Sequence, residues 1–172
     1  MQSTVESREL GFLKRLRWLL FGSLEKRARE SASVPAATLQ FGAIPYRVVD
    51  GKLTFLMITS RRTKRWIFPK GGLMEGLTPV EIAAQEAFEE AGVRGTVGVT
   101  PVGHYRSLKS DLAGETWLSI EMYPLEVDEQ LDDWPEKGER QRQWVTLAEA
   151  QKLLLEPDLV AMAGKIAGGD IG

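Results

Sequence analysis

Glu86, Glu89 and Glu90 crowd into one short stretch, downstream of the glycine pair Gly71 and Gly72, in "FPKGGLMEGLTPVEIAAQEAFEEAGVRG" (68–95). At about 100° per helical residue, the three carboxylates share roughly one third of a helix circumference. Like charges that close repel and raise one another's proton affinity, unless a counter-charge sits among them. A hard divalent cation such as Mg²⁺ or Mn²⁺ removes the conflict, because it prefers oxygen ligands. The glycines fit the same chemistry, since without side chains their backbone oxygens and amides approach a metal or phosphate closely. A solvated acidic helix face is the plain alternative. Against it, Glu89 and Glu90 fall in the last turn, where the helix dipole disfavours anions.

The elements that must position these groups are legible around them. Thr78 and Pro79 read as a helix N-cap and first helical residue, and Gly92 as its stop. On the arc opposite the carboxylates, Val80, Ala84, Ala87, Phe88 and Ala91 form a face suited to close packing on a sheet. Upstream, "LQFGAIPYRVVDGKLTFLMITS" holds two β-rich runs joined at Asp50-Gly51, a pair suited to a tight antiparallel hairpin. "RWIFP" predicts a short strand entering the glycine turn. Further strands are expected in "TVGVTPVGHYRS", "TWLSIEMYPLEV" and "QRQWVTL". A second helix follows at about 147–155, with Thr146 as N-cap and Glu149 as its capping-box partner. Strands and helices without regular alternation predict a mixed sheet covered by helices, an α/β (α+β) fold.

Composition narrows the class. The 172 residues suffice for one domain with a terminal extension. A formal net charge of -2 argues against general nucleic-acid binding, so no nucleic-acid partner is expected. The chain has no cysteine, which removes disulfides, thiol nucleophiles and Cys-type zinc sites and fits a reducing compartment. No apolar run reaches the roughly 18 residues of a membrane span, and a cytoplasmic location is expected. "LGFLKRLRWLLFG" (10–22) is interrupted by Lys14, Arg15 and Arg17 and lacks a cleavage site, so it reads as an amphipathic helix with a basic face. Such a helix can lie on an anionic membrane surface, pack on its own domain, pair with a second copy in a homodimer, or remain partly disordered. "ESASVPAA" (30–37) reads as a linker, which divides the chain into an N-terminal helix and linker (1–37), a folded domain (38–165) and a tail (166–172).

The 68–95 stretch resembles the Nudix box, G-x5-E-x7-R-E-U-x-E-E-x-G-U with U a bulky apolar residue. Gly71 opens it, Glu86, Glu89 and Glu90 take its last three acidic positions, and Gly92-Val93 closes it. The segment 40–155 is similar in element order to Nudix hydrolases, most of all to the diphosphoinositol polyphosphate phosphohydrolase branch, through "RWIFPKGG", "EEAGVRGTVG" and "DDWPEKGERQRQW". The resemblance implies a Nudix-type α/β/α sandwich and a Mg²⁺-dependent hydrolase that cleaves a pyrophosphate by water attack at phosphorus. It implies metal ligands at the Gly71 carbonyl, Glu86 and Glu90, and a base at Glu89, with Glu86 as the alternative base. Glu115 or Glu121 is a candidate further ligand. The box is incomplete, because Leu77 stands at its first glutamate, Gln85 at its arginine and Ala87 at a bulky position. Gln85 offers only neutral hydrogen bonds where an arginine gives charge-assisted ones. A catalytically weak nucleotide-binding or regulatory domain is therefore the second function class.

Basic residues gather near the box in sequence: Arg61, Arg62, Lys64, Arg65 and Lys70 before the helix, Arg140 and Arg142 after it. In a slightly acidic chain this concentration points to an anionic small-molecule substrate. The resemblance makes Arg61, Arg140 and Lys152 phosphate-contacting positions, and the concentration of basic residues beside the box adds Arg65 and Lys70 as further candidate substrate ligands. "VPAATLQ" lacks the basic cluster that the inositol branch carries there, which leaves diphosphoinositol polyphosphates and dinucleoside polyphosphates as equal substrate classes. His104, the single histidine, reads as structural or as a base. Trp66, Trp117, Trp134 and Trp144 offer nucleobase stacking, or core packing first.

Overall fold

The computed structural model describes residues 37–112 and 114–170, so the expected helix at 10–22 lies outside the described residues. Strands β1 (Thr38–Val49) and β2 (Lys52–Thr59) form the expected antiparallel hairpin. Asp50 and Gly51 both take positive φ, 50° and 72°, the conformation a two-residue hairpin turn requires. After β2 come two fragments, β3 (Trp66–Ile67) and β4 (Lys70–Gly72). The glycine pair thus lies in a short strand rather than a turn, with Gly71 opposite Phe41 of β1. The tight turn comes later, at Gly76 with φ 79°.

Helix α1 (Pro79–Glu86) starts on a full capping box between Thr78 and Glu81, then loosens into one π-helical turn over Ala87–Ala91 that ends on left-handed Gly92. Strands β5 (Val93–Val97), β6 (Gly103–Asp111), β7 (Gly114–Gln130) and β8 (Arg142–Thr146) complete one eight-stranded sheet. Its main order is β3-β2-β1-β7-β5, with β4 on β1, β6 on β7 and β8 on β2. The β1–β7 pair is parallel while the others are antiparallel, which confirms the mixed sheet.

Alternation along the central strands fills two cores. Phe41 and Ala43 of β1, Leu56 and Ile58 of β2, and Tyr123 and Leu125 of β7 face α1. Ile44, Phe55, Met57, Ile120 and Met122 face the other layer, closed by α2 (Leu147–Leu153) and α3 (Pro157–Ala167). Helices on both faces give the expected α/β/α sandwich. The helix expected at 147–155 stops at Leu153, and α3 was not foreseen although Pro157 marks its first position. Since Ile166 is buried in that core, the folded domain runs past the expected limit at 165.

The packed face of α1 also departs from expectation. Ile82, Ala83, Ala87 and Ala91 are fully buried, whereas Val80, Ala84 and Phe88 are only partly so. Burying Ile82 contributes about 2 kcal/mol. Small alanines let the helix sit close to the sheet, which brings its C-terminal carboxylates against β4.

Candidate active site

Backbone proximity organises the acidic cluster. A Cβ added to Gly71 would lie 1.6 Å from Glu86 Oε1, so only glycine leaves room for that carboxylate. The Lys70 amide donates to Glu90 Oε2 at 3.0 Å, fixing the second carboxylate on the same strand. Gln85 Nε2 donates to Glu89 Oε1 at 2.5 Å. All three glutamates line one open cleft of about 660 Å³. Glu86 and Glu90 are buried, at 8% and 6% exposure, which rules out the alternative of a solvated acidic helix face for these two. Periodicity placed them away from the α1 core, and β4 closes over them from the other side.

The electrostatics follow from that burial. Glu86 is pushed up to about 7, first by loss of solvation and then by Glu90, Glu89 and Glu136, with Lys70 opposing. Burial likewise pushes Glu90 up, while Arg140 and the Lys70 amide oppose the rise. Burial pulls the Lys70 ammonium down, with Glu90 opposing. Among the described residues no three His, Cys, Asp or Glu side chains converge as a metal cage. Mg²⁺ is commonly held by one or two carboxylates with waters and substrate phosphates. Glu86, Glu90 and Gly71 line the cleft together, and a cation held there would offset both the desolvation and the carboxylate repulsion that raise Glu86.

The basic residues divide. Arg61, Arg62, Arg65 and Lys70 line the cleft with the glutamates. Arg61 lies 3.5 Å from Glu136 and 3.6 Å from Glu139, more than half exposed. Arg65 lies 3.9 Å from Glu156, and Arg62 donates to the Ser110 carbonyl. Lys64 turns away to the Glu139 carbonyl and does not line the cleft. Lys152 is exposed on α2 and does not line it either.

Two arginines serve the helix, and one of them, Arg140, also borders the cleft. Arg140, expected to meet phosphate, is buried and donates to Glu90, Glu136 and the Thr59 carbonyl. Arg142 donates to the carbonyls of Ala91, Gly92 and Leu131, so a cation caps the C-terminal end of the helix. That placement offsets the dipole cost of Glu89 and Glu90.

Other expected groups stay outside the cleft. Tyr123 donates its hydroxyl to Glu121 (β7), and Glu115 is exposed beside Ser110 in the β6–β7 hairpin. His104 is exposed, opposite Glu121. None of the four tryptophans considered for stacking lines the cleft. Trp144 donates to Gln130 under Arg47, Trp134 lies under Arg142, Trp117 under Arg106, and Trp66 packs on the core. Lys109, Ser110 and Glu136 line the cleft without having been singled out in the sequence. Only the folding of the hairpin and of the 131–141 segment brings them there, and no spacing signal marks them.

Known proteins resemble this chain in both sequence and fold. "Nudix hydrolase 12, mitochondrial" of Arabidopsis thaliana is 37% identical over 129 residues, 65% of this chain and 64% of that protein. The match thus spans just under two thirds of that relative's length. "Diphosphoinositol polyphosphate phosphohydrolase 3-beta" of Bos taurus is 36% identical over 101 residues, 58% of each chain. The crystal structure of the C. elegans Ap4A hydrolase superposes with a TM-score of 0.56 at 20% identity, covering 77% of this chain and 98% of that one, a likeness of fold alone. A NUDIX-domain family model matches residues 39–163, the span that contains the sheet, the helix and the cleft, and the chain belongs to the NUDIX family.

Proposed function

We propose that this chain is a Mg²⁺-dependent Nudix pyrophosphohydrolase, with Mn²⁺ as a substitute, acting on a phosphoanhydride of a densely phosphorylated small molecule. The observation that carries the reading is the cleft itself, where Glu86, Glu89, Glu90 and Gly71 face Arg61, Arg62 and Arg65. Glu86, Glu90 and the Gly71 carbonyl hold the cation. A divalent cation there neutralises phosphate oxygens and makes water a better nucleophile near neutral pH. Glu89, outside that ligand set and oriented by Gln85, takes the proton of the attacking water. Arg61 and Arg65, exposed at the rim, bind the terminal phosphates and orient the anhydride.

The lining also favours one substrate class. Among the described residues of the cleft none is aromatic, so it offers cations and carboxylates but no stacking platform for a nucleobase. A diphosphoinositol polyphosphate, which needs only phosphate contacts, suits this cleft better than a dinucleoside polyphosphate, and the bovine relative's name agrees. The second reading is a nucleotide-sensing domain with little turnover, favoured by Leu77 and Gln85 at box positions. Phosphate release with Mg²⁺ or Mn²⁺ from both substrate classes decides between the two. We expect kcat/KM for the inositol substrate to exceed that for the dinucleotide by about tenfold or more. Absence of release from either, with tight binding retained, would establish the sensor.

A further inference from the structure

We infer that Arg140 is a positioning residue for Glu90, doing from a distant segment what the arginine missing at position 85 would do from within the helix. The inference rests on the metal-site reading above. Gln85 reaches only Glu89, through a neutral amide. Glu90 is instead gripped from two sides. The Lys70 amide holds Oε2, and Arg140 Nη2 donates to Oε1. The guanidinium is itself held in place, by the Thr59 carbonyl on Nη1 at 3.0 Å and by Glu136 on Nε. Three of its five N–H donors therefore have protein acceptors, and its side chain is only 4% exposed. Although it borders the cleft, it turns these three donors inward to the protein. Arg61, at 57%, is free of such confinement, which separates the two roles. With Oε1 held by Arg140 and Oε2 by the Lys70 amide, the carboxylate plane is set, and the remaining lone pairs of Glu90 are the ones a cation would use. Support of this kind for a metal ligand typically contributes 10–100-fold in affinity.

Charge alone predicts the opposite of positioning, which makes the idea testable without turnover. Removing a cation beside a metal site should tighten cation binding if Arg140 acts only through its charge. Positioning requires looser binding. The test is Mn²⁺ binding measured by electron paramagnetic resonance on wild type, Arg140→Gln and Arg140→Lys, alongside kcat and KM at saturating metal. We expect the Mn²⁺ Kd to rise about tenfold in both variants, while KM for substrate at saturating metal moves less than threefold. Tighter Mn²⁺ binding by Arg140→Gln would overturn the proposal. So would an unchanged Kd with a raised KM, the signature of a phosphate contact. Should the Arg140 variants melt below the assay temperature, Glu136→Asp keeps the local charge and loosens the grip on Nε; it should weaken Mn²⁺ binding in the same direction, and an unchanged Kd there also overturns the role. Wild-type protein that binds Mn²⁺ yet hydrolyses nothing removes the enzymatic reading and leaves this one standing, whereas wild type that takes up no Mn²⁺ removes both.

Discussion

Replacing Glu86 by glutamine should make the metal-free protein more stable at pH 8 while destroying its metal site. Glu86 is buried among Glu89, Glu90 and Glu136, and its carboxyl is pushed from 4.5 up to about 7. Between those two values the folded protein keeps a proton that the unfolded chain releases. Stability from this group is thus fully present below about 4.5 and is lost as the pH rises through about 7. At about 1.4 kcal/mol per pH unit, the interval corresponds to roughly 3 kcal/mol in a dry site. The group opens onto a solvated cleft, which reduces the expected loss to about 1–2 kcal/mol. Glutamine mimics the protonated acid and has no charge to repel. Urea unfolding followed by tryptophan fluorescence in a chelator, at pH 5 and pH 8, measures the difference. Wild type should lose about 1–2 kcal/mol between the two pH values relative to Glu86→Gln, and saturating Mg²⁺ should restore wild type alone. Parallel pH dependences for the two proteins would refute the claim that Glu86 is an uncompensated buried charge.

Three further outcomes are expected. Gly71→Ala drives a methyl into the Glu86 carboxylate, so Mn²⁺ affinity measured by calorimetry should fall at least about tenfold; wild-type affinity would show that Glu86 need not sit there. Glu89→Gln should lower kcat at least about a hundredfold with an unchanged melting temperature, as expected of a half-buried proton acceptor outside the core; a rate within a few-fold of wild type excludes it as the base. Leu77 and Gln85 line the same small surface pocket beside α1, and Leu77 is 40% exposed, so a new charge there stays hydrated. Leu77→Glu with Gln85→Arg should then show a favourable coupling of about 0.5 kcal/mol in a double-mutant cycle by chemical unfolding, and strict additivity would mean the two side chains do not meet.

The parts of this structure that the sequence revealed are those held by local chemistry. Asp50-Gly51 is the hairpin turn because its two φ values are positive, and Thr78 and Thr146 are caps because their hydroxyls reach an amide three residues on. The glutamate spacing likewise marked the cleft. Long-range pairing was not legible. Nothing near Gly71 signals that it pairs with Phe41, and that pairing turns Glu86 and Glu90 from surface groups into buried ones. The family resemblance makes Arg140 a phosphate contact, and an arginine ahead of a strand carries no sign of burial; its acceptors lie on β2, on the helix and on its own loop. The π turn at Ala87–Ala91 was hidden too, since alanine-rich sequence is equally suited to regular helix.

The parallel ladder between β1 and β7 has a kinetic consequence. Phe41 and Glu121 meet across a loop of roughly eighty residues, and such pairing is slow to nucleate because its entropy must be lost before its bonds form. Gly71, Glu86 and Glu90 all lie inside that loop, and β4 can dock only on a β1 already in place. The proposed cation ligands are therefore expected to come together late, after the main folding barrier. Magnesium should leave the refolding rate nearly unchanged and slow unfolding instead, so that the two arms of a chevron respond unequally to it. With that outcome the proposed ion would be a lock on the finished molecule, extending its lifetime against proteolysis without helping it to fold.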